Sequence, residues 1–341
     1  MDELNYTLYI DESGVSSNKL SYYREIEKRN FFALGSLKAQ KKDIDEFYNK
    51  YLKQFEINDE IKYKYLKNDI NTLHKIINII YDSNFEINIE FVESQLYYLT
   101  LFCDYVYYPF WLYEDEDFID LRKRFFHDFS NMFDKTFFNL LDELFKSEKF
   151  EQYEKAYKDL IPFLVEKQIM SEKELLDNFK FTKQLLIEGT CNIENIKPLG
   201  NQYNGKTKII VLPHLQCLYN LIVKANDINT IIHDENFHYQ NLFQEDINAN
   251  LRKKIIFQNS KSECGLKVID IIVSYCKNTI EYMIKNHDYS EMDYVNKFFN
   301  NINFILNQNT QDELFYFSDH SPSSYSNILQ EYNISTKINF P

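Results

Sequence analysis

No glycine interrupts the chain between Ser94 and Glu188. So long a stretch lacks the residue that most cheaply adopts left-handed turn conformations, which favours helices joined by short connections. The whole sequence shares this poverty of turn-formers: Gly and Pro number only 6 each among 341 residues. That argues against a many-stranded all-β fold. With 44% hydrophobic and 26% charged residues, the chain has a globular profile and can bury the core of one large domain or two ordinary ones.

Around this block the pattern changes twice. From Met1 to Glu93, "YTLYID" and "NFFALGSL" read as short strands, and Gly35 inside the second predicts a bulge or a close backbone approach. Ile44, Phe47, Tyr48, Tyr51, Leu52 and Phe55 recur at helical spacing, as do Leu66, Ile70, Leu73, Ile77 and Ile80. "FEINIEFVE" alternates, with Ile87, Ile89 and Phe91 on one face and Glu86, Asn88 and Glu90 on the other, as expected of a half-exposed strand near a sheet edge. The region 94–205 reads as helical almost throughout, and its aromatic runs, such as "YVYYPFWLY", fit internal packing better than a stacking surface. Beyond it, "TIIHDE" and "KIIFQNS" read as strands and "GLKVIDIIVSYCKNTIEYMIKN" as a long helix. The expected organisation is an α/β core split between residues 1–93 and 206–290, a helical insertion at 94–205 and a C-terminal extension at 291–341.

Several classes lack a signal. No apolar run is long enough to cross a bilayer, so no membrane partner is expected. The acidic start has no basic-then-apolar leader, and five scattered cysteines without a C-x-x-C pair suggest reduced thiols in a cytoplasm. Gly-rich phosphate loops and G-x-S-x-G elbows are missing. The net charge of -14, from 38 basic and 52 acidic residues, rules out gripping nucleic acid by bulk charge. A nucleic-acid ligand would need a local basic channel or bridging metal ions.

A recurrence carries the chemistry. Two strands far apart in sequence end alike, "LYIDE" on Asp11 and Glu12 and "TIIHDE" on Asp234 and Glu235. In α/β sheets, ligands bind outside the carboxyl ends of strands. A third carboxylate, Asp270, interrupts the apolar helix face of Leu266, Ile269, Val273 and Cys276. Singly, each has a plainer explanation: a turn at Asp11–Gly14, a helix N-cap at Asp234, a solvated rim at Asp270. Jointly they point to a metal site, because crowded carboxylates repel unless a cation such as Mg²⁺ lies among them. Mg²⁺ or Mn²⁺ so held can activate water for phosphodiester hydrolysis.

"YIDESG", "FFALGSL", the Glu-x-Lys of "DEIKYKYL", "IIHDEN" and "NSKSECGLKVIDIIVSY" together resemble the bacterial family catalogued as domain of unknown function 3800. The resemblance covers roughly Asn5–Glu93 and Val211–Lys285. It implies a ribonuclease-H-like (retroviral-integrase-type) mixed sheet flanked by helices, and two-metal nuclease activity on RNA or DNA, with a role in antiphage or mobile-element defence. Carried over, Asp11, Asp234 and Asp270 would hold the metals, with Glu60 or Glu12 completing the shell. Lys62 and Lys261 would contact phosphate, and Ser13 and His238 lie where substrate would. Two positions depart from the family: Ile269 stands where Ala is usual, and Lys267 where Gln is commoner.

Two other functions remain open at this point. A catalytically lapsed adaptor, binding a protein partner through the helical insertion, suits the acidity and the aromatics. A helical RNA-acting toxin would use Arg122 and His127, five positions apart in "RKRFFH".

Overall fold

The computed structural model describes residues 5–14, 31–93, 99, 101–109, 125, 128, 132, 134–147, 149–189, 201–203, 207–209, 217–218, 221–222, 225, 227–235, 255–286, 290–291, 294–295, 297–298, 304–306 and 314–316. In chain order the strands are β1 (Tyr6–Gly14), β2 (Phe31–Gln40), β3 (Glu86–Glu93), β4 (Asn201–Tyr203), β5 (Thr207–Ile209), β6 (Ile228–Asp234), β7 (Ile255–Gln258), β8 (Phe304–Leu306) and β9 (Leu314–Tyr316). The helices are α1 (Lys41–Phe47), α2 (Tyr63–Leu66), α3 (Ile70–Tyr81), α4 (Lys135–Lys146), α5 (Phe150–Glu166), α6 (Glu172–Ile187) and α7 (Cys264–Asn286). The chain divides into two compact units: residues 1–16, 30–93 and 213–318, and residues 17–29, 94–212 and 319–341.

The first unit is a mixed α/β structure around a five-stranded sheet of order β3-β2-β1-β6-β7. β1, β2 and β3 form an antiparallel meander, while β6 runs parallel to β1 and β7 parallel to β6. Side chains alternate between faces along each strand. Tyr9, Ala33, Leu37, Ile87, Ile89, Phe91 and Ile232 share one face, and α7 lies on it through Leu266, Ile269, Ile272, Val273 and Cys276. Each of these fully buried aliphatic side chains contributes about 1.5–3 kcal/mol.

Gly35 fixes how closely α7 approaches. A Cβ there would overlap Cγ2 of Val273 and lie 3.0 Å from Cδ1 of Ile269. The register through Gly35 is unbroken on both sides, so of the two expectations for this glycine the close approach is the one realised and the bulge is not.

Other expectations change in detail. The helix expected from Ile44 to Phe55 begins as α1 but passes into a π-turn at Tyr48–Leu52 and a 3₁₀ turn at Lys53–Phe55. The pattern from Leu66 to Ile80 is two helices, because Asp69 leaves helical geometry and caps α3 by accepting from the Thr72 N–H. β3 is an edge strand, as its alternation suggested, yet Glu90 on its polar side is buried.

Within the second unit, Asp134 accepts N–H bonds from Thr136 and Phe137 at the start of α4, and Ser171 with Glu174 forms a capping box on α6. Its aromatics pack against one another, with Phe102 edge-on to Phe137 at 5.0 Å between centroids. The β4–β5 hairpin departs from the helical expectation for the end of this region. Among the described residues no helix is long and apolar enough to cross a membrane, and Cys264 and Cys276 are free thiols.

Candidate active site at the carboxyl edge of the sheet

The parallel register pairs Ile10 of β1 with His233 of β6. The next residue on each strand is Asp11 and Asp234, side by side at the usual strand spacing of about 4.8 Å. β6 ends at Asp234, but β1 continues paired with β2 through Gly14 and does not stop on Asp11 and Glu12 as its sequence suggested. Both belong to the face covered by α7, where Asp11 stands opposite Gly35. Ile269 and Val273 rest against Gly35, and the intervening turn of α7 carries Asp270. The glycine therefore lets the helix bring a third carboxylate down to Asp11. Asp11 and Asp270 are 4% and 7% exposed, which makes their negative charges costly unless compensated.

The electrostatics record that cost. Burial pushes the Asp11 carboxyl well above its ordinary value, and Asp270, Glu12 and Asp234 push it further. The Glu12 N–H, donating to Asp11 Oδ1 at 2.7 Å, opposes the shift. Asp234 is also raised, first by burial and then by Glu12, against backbone N–H groups of Glu235 and Ser260. The Ser260 bond to Asp234 Oδ1 is 3.0 Å long and ties the segment after β7 to the site.

Asp270 is held from two sides. Lys62 Nζ lies 2.7 Å from its Oδ2, and the Ser274 hydroxyl donates to its Oδ1 at 3.2 Å. Lys62 is also 3.9 Å from Glu60 Oε1. Burial works against the ammonium charge, but Asp270, then Glu60 and Asp11, outweigh it and raise Lys62 above the ordinary lysine value.

Glu12 points to the opposite face, where its Oε2 lies 4.0 Å from Nε2 of His233. His233 is fully buried, and burial lowers its pKa to about 4. Its Nδ1 lies 2.9 Å from the Asp234 carbonyl, which can only accept, so that nitrogen carries the proton of the neutral ring.

Thus Asp11, Asp234, Asp270, Glu12, Glu60 and Lys62 gather at one sheet edge. Ser13 sits half-buried in β1 beside Ala33 of β2, and Lys261 is exposed on the 3₁₀ turn that follows β7. His238, Arg122 and His127 lie outside the described residues. Lys267 is engaged elsewhere: its Nζ binds Glu56 Oε1 at 2.8 Å and sits 5.1 Å from the Tyr48 ring centroid. Sequence reading missed Ser274, although its i+4 spacing from Asp270 was the available signal. It also missed Ser260, whose backbone donor leaves no mark in side-chain patterns.

The donor set suits a hard divalent cation: buried, crowded carboxylate oxygens, two of which hold protons more tightly than usual. As the side chains stand among the described residues, no three His, Cys, Asp or Glu groups converge on a single ion position. Asp270 is turned to Lys62 instead. Compared with known proteins, the chain matches no family model, no curated protein and no solved structure.

Proposed function

We infer that the chain is a Mg²⁺- or Mn²⁺-dependent nuclease that hydrolyses phosphodiester bonds at the carboxyl edge of its sheet. The observation that carries this reading is the meeting of Asp11, Asp234 and Asp270 from two parallel strands and one helix, with Asp11 buried and its carboxyl raised. Proteins place mutually repelling carboxylates in such a position chiefly for metal binding or acid–base work. The strand order, an antiparallel meander followed by two strands parallel to the first, agrees with a ribonuclease-H-like core. Residues 94–205 are then an insertion that selects substrate or binds a partner.

Asp11, Asp234 and Asp270 would hold the ions, with Glu60 completing the shell, since Glu12 is turned to His233 on the other face. Bound divalent ions supply an activated water and charge neutralisation at the phosphate. The chain's own groups do the rest: Lys62 and Lys261 attract and orient phosphate, and Asp11 gives up any proton it carries as its carboxylate is engaged.

The test combines cleavage with metal binding. Purified protein with Mn²⁺ is expected to cut labelled RNA or DNA, and Asp11→Asn or Asp234→Asn to abolish cleavage and calorimetric Mn²⁺ binding. Asp11→Asn should also raise the metal-free melting temperature at pH 7, because a repelled buried charge is removed. Cleavage that survives Asp11→Asn at full rate refutes the reading.

One observation favours a second reading, a binding module with a lapsed site. The Lys62–Asp270 ion pair already supplies positive charge to the cluster. A protein that binds no Mn²⁺ at millimolar concentration yet keeps this pair is that module.

A further inference from the structure

Lys62 reaches the site in a defined way. Asn58 and Asp59 adopt left-handed conformations, with φ of 55° and 65°, between the bridged residues Ile57 and Glu60. Two successive positive φ values make this a tight type I′-like reversal. The chain then runs extended, with Lys62 at φ -123° and ψ 136°. Alternation therefore puts Glu60 and Lys62 on one side and the buried Ile61 on the other. The ammonium is delivered from this braced stem onto Oδ2 of Asp270, with Glu60 behind it.

A divalent ion at Asp270 would need the oxygen that Lys62 now occupies, and two cations sharing it repel. We propose that Lys62 is a built-in counter-cation that competes with divalent metal for Asp270 and is drawn off by a phosphodiester, so that metal and substrate bind cooperatively. The inference rests on the nuclease reading above and adds its regulation. Without substrate, Lys62 steadies the crowded carboxylates and keeps metal affinity low. When an anionic phosphodiester approaches, the ammonium has a second partner of suitable charge, since lysine binds phosphate as a compact point charge. Its departure frees Asp270 Oδ2 for metal. By linkage, metal must tighten phosphodiester binding by the same factor.

Calorimetric Mn²⁺ titration of the full chain tests this, with dimethyl phosphate as the phosphodiester probe and no cleavage involved. Lys62→Gln is expected to bind Mn²⁺ tighter than wild type, on the order of tenfold, within the range of coupled sites. Lys62→Arg keeps the competing charge and should stay near wild type. Lys42→Gln removes an exposed α1 charge that does not touch Asp270, and should shift affinity no more than about twofold, since exposed charges are screened. Saturating dimethyl phosphate should tighten Mn²⁺ binding to wild type and leave Lys62→Gln unchanged. Equal or weaker Mn²⁺ binding by a folded Lys62→Gln overturns the proposal, as does equal tightening by Lys42→Gln. Should Lys62→Gln fail to fold, the lack of any dimethyl phosphate effect on wild type overturns it alone. Wild type and Lys62→Gln both failing to bind Mn²⁺ overturns the nuclease reading itself, and the competition with it.

Discussion

Replacing Gly35 with alanine asks whether the closeness of α7 to the sheet holds the site together. The new methyl would overlap Val273 Cγ2 and crowd Ile269 Cδ1 at 3.0 Å. Valine on a helix is stiff about χ1, so Val273 cannot swing aside cheaply and the helix must lift. Overpacking of this kind costs about 1–3 kcal/mol. Removing glycine from a strand returns about 0.5–1 kcal/mol of backbone entropy. The expected net loss is therefore about 1–2 kcal/mol in urea unfolding, and lifting α7 also draws Asp270 from Asp11 and weakens Mn²⁺ binding. Val273→Ala alone loses two buried carbons, about 1.6 kcal/mol at 0.8 per carbon. In the double variant Gly35→Ala/Val273→Ala the added methyl enters the space the valine vacated, so the losses should fall short of their sum by at least about 1 kcal/mol. Additivity within about 0.5 kcal/mol would refute the argument, since it would mean that the two positions do not contact each other.

Two further outcomes follow from buried groups. His233 is held neutral by burial, with a pKa of about 4 against 6.5 for the ordinary side chain. The unfolded chain binds its proton more readily, so the contribution of neutral His233 is complete above about pH 6.5 and is lost as pH falls toward 4, by about 3 kcal/mol in all. Chemical denaturation of metal-free protein between pH 7 and 4 should show this slope in wild type and a shallower one in His233→Asn; parallel curves would sink the assignment. Lys267→Met should cost about 1–3 kcal/mol, because it strips a half-buried Glu56 of its ammonium partner, yet leave Mn²⁺ affinity unchanged. A large change in affinity at unchanged stability would instead make Lys267 part of the site.

The sheet was legible because its strands alternate, and the echo between "LYIDE" and "TIIHDE" marked two strands that prove to be parallel neighbours, although β1 runs on past its carboxylates to Gly14. Residue patterns could not show that Gly35 faces Asp11 across the β1–β2 ladder, since register is a property of the pair and not of either strand. Nor could they show Lys62 on Asp270, two residues more than two hundred positions apart, or the burial of Glu90 on the polar side of β3. The π and 3₁₀ turns after α1 were hidden for a different reason. Apolar spacing reports which face is buried, while those turns are shifts in backbone hydrogen bonding that leave the face nearly unchanged.

The parallel pairing of β1 with β6 has a consequence for how the protein comes into being on the ribosome. β1, β2 and β3 can form their meander as soon as Glu93 has emerged, but the strand and helix that bring Asp234 and Asp270 are made much later. At typical synthesis rates of about 5–20 residues per second, that interval lasts roughly ten to forty seconds. During it the Tyr9–Leu37–Ile89 face has no α7 to cover it, an aggregation hazard that a chaperone would have to bridge. The same delay keeps the carboxylates apart, so the nascent chain has no assembled carboxylate cluster until Asp270 has been synthesised and α7 has docked.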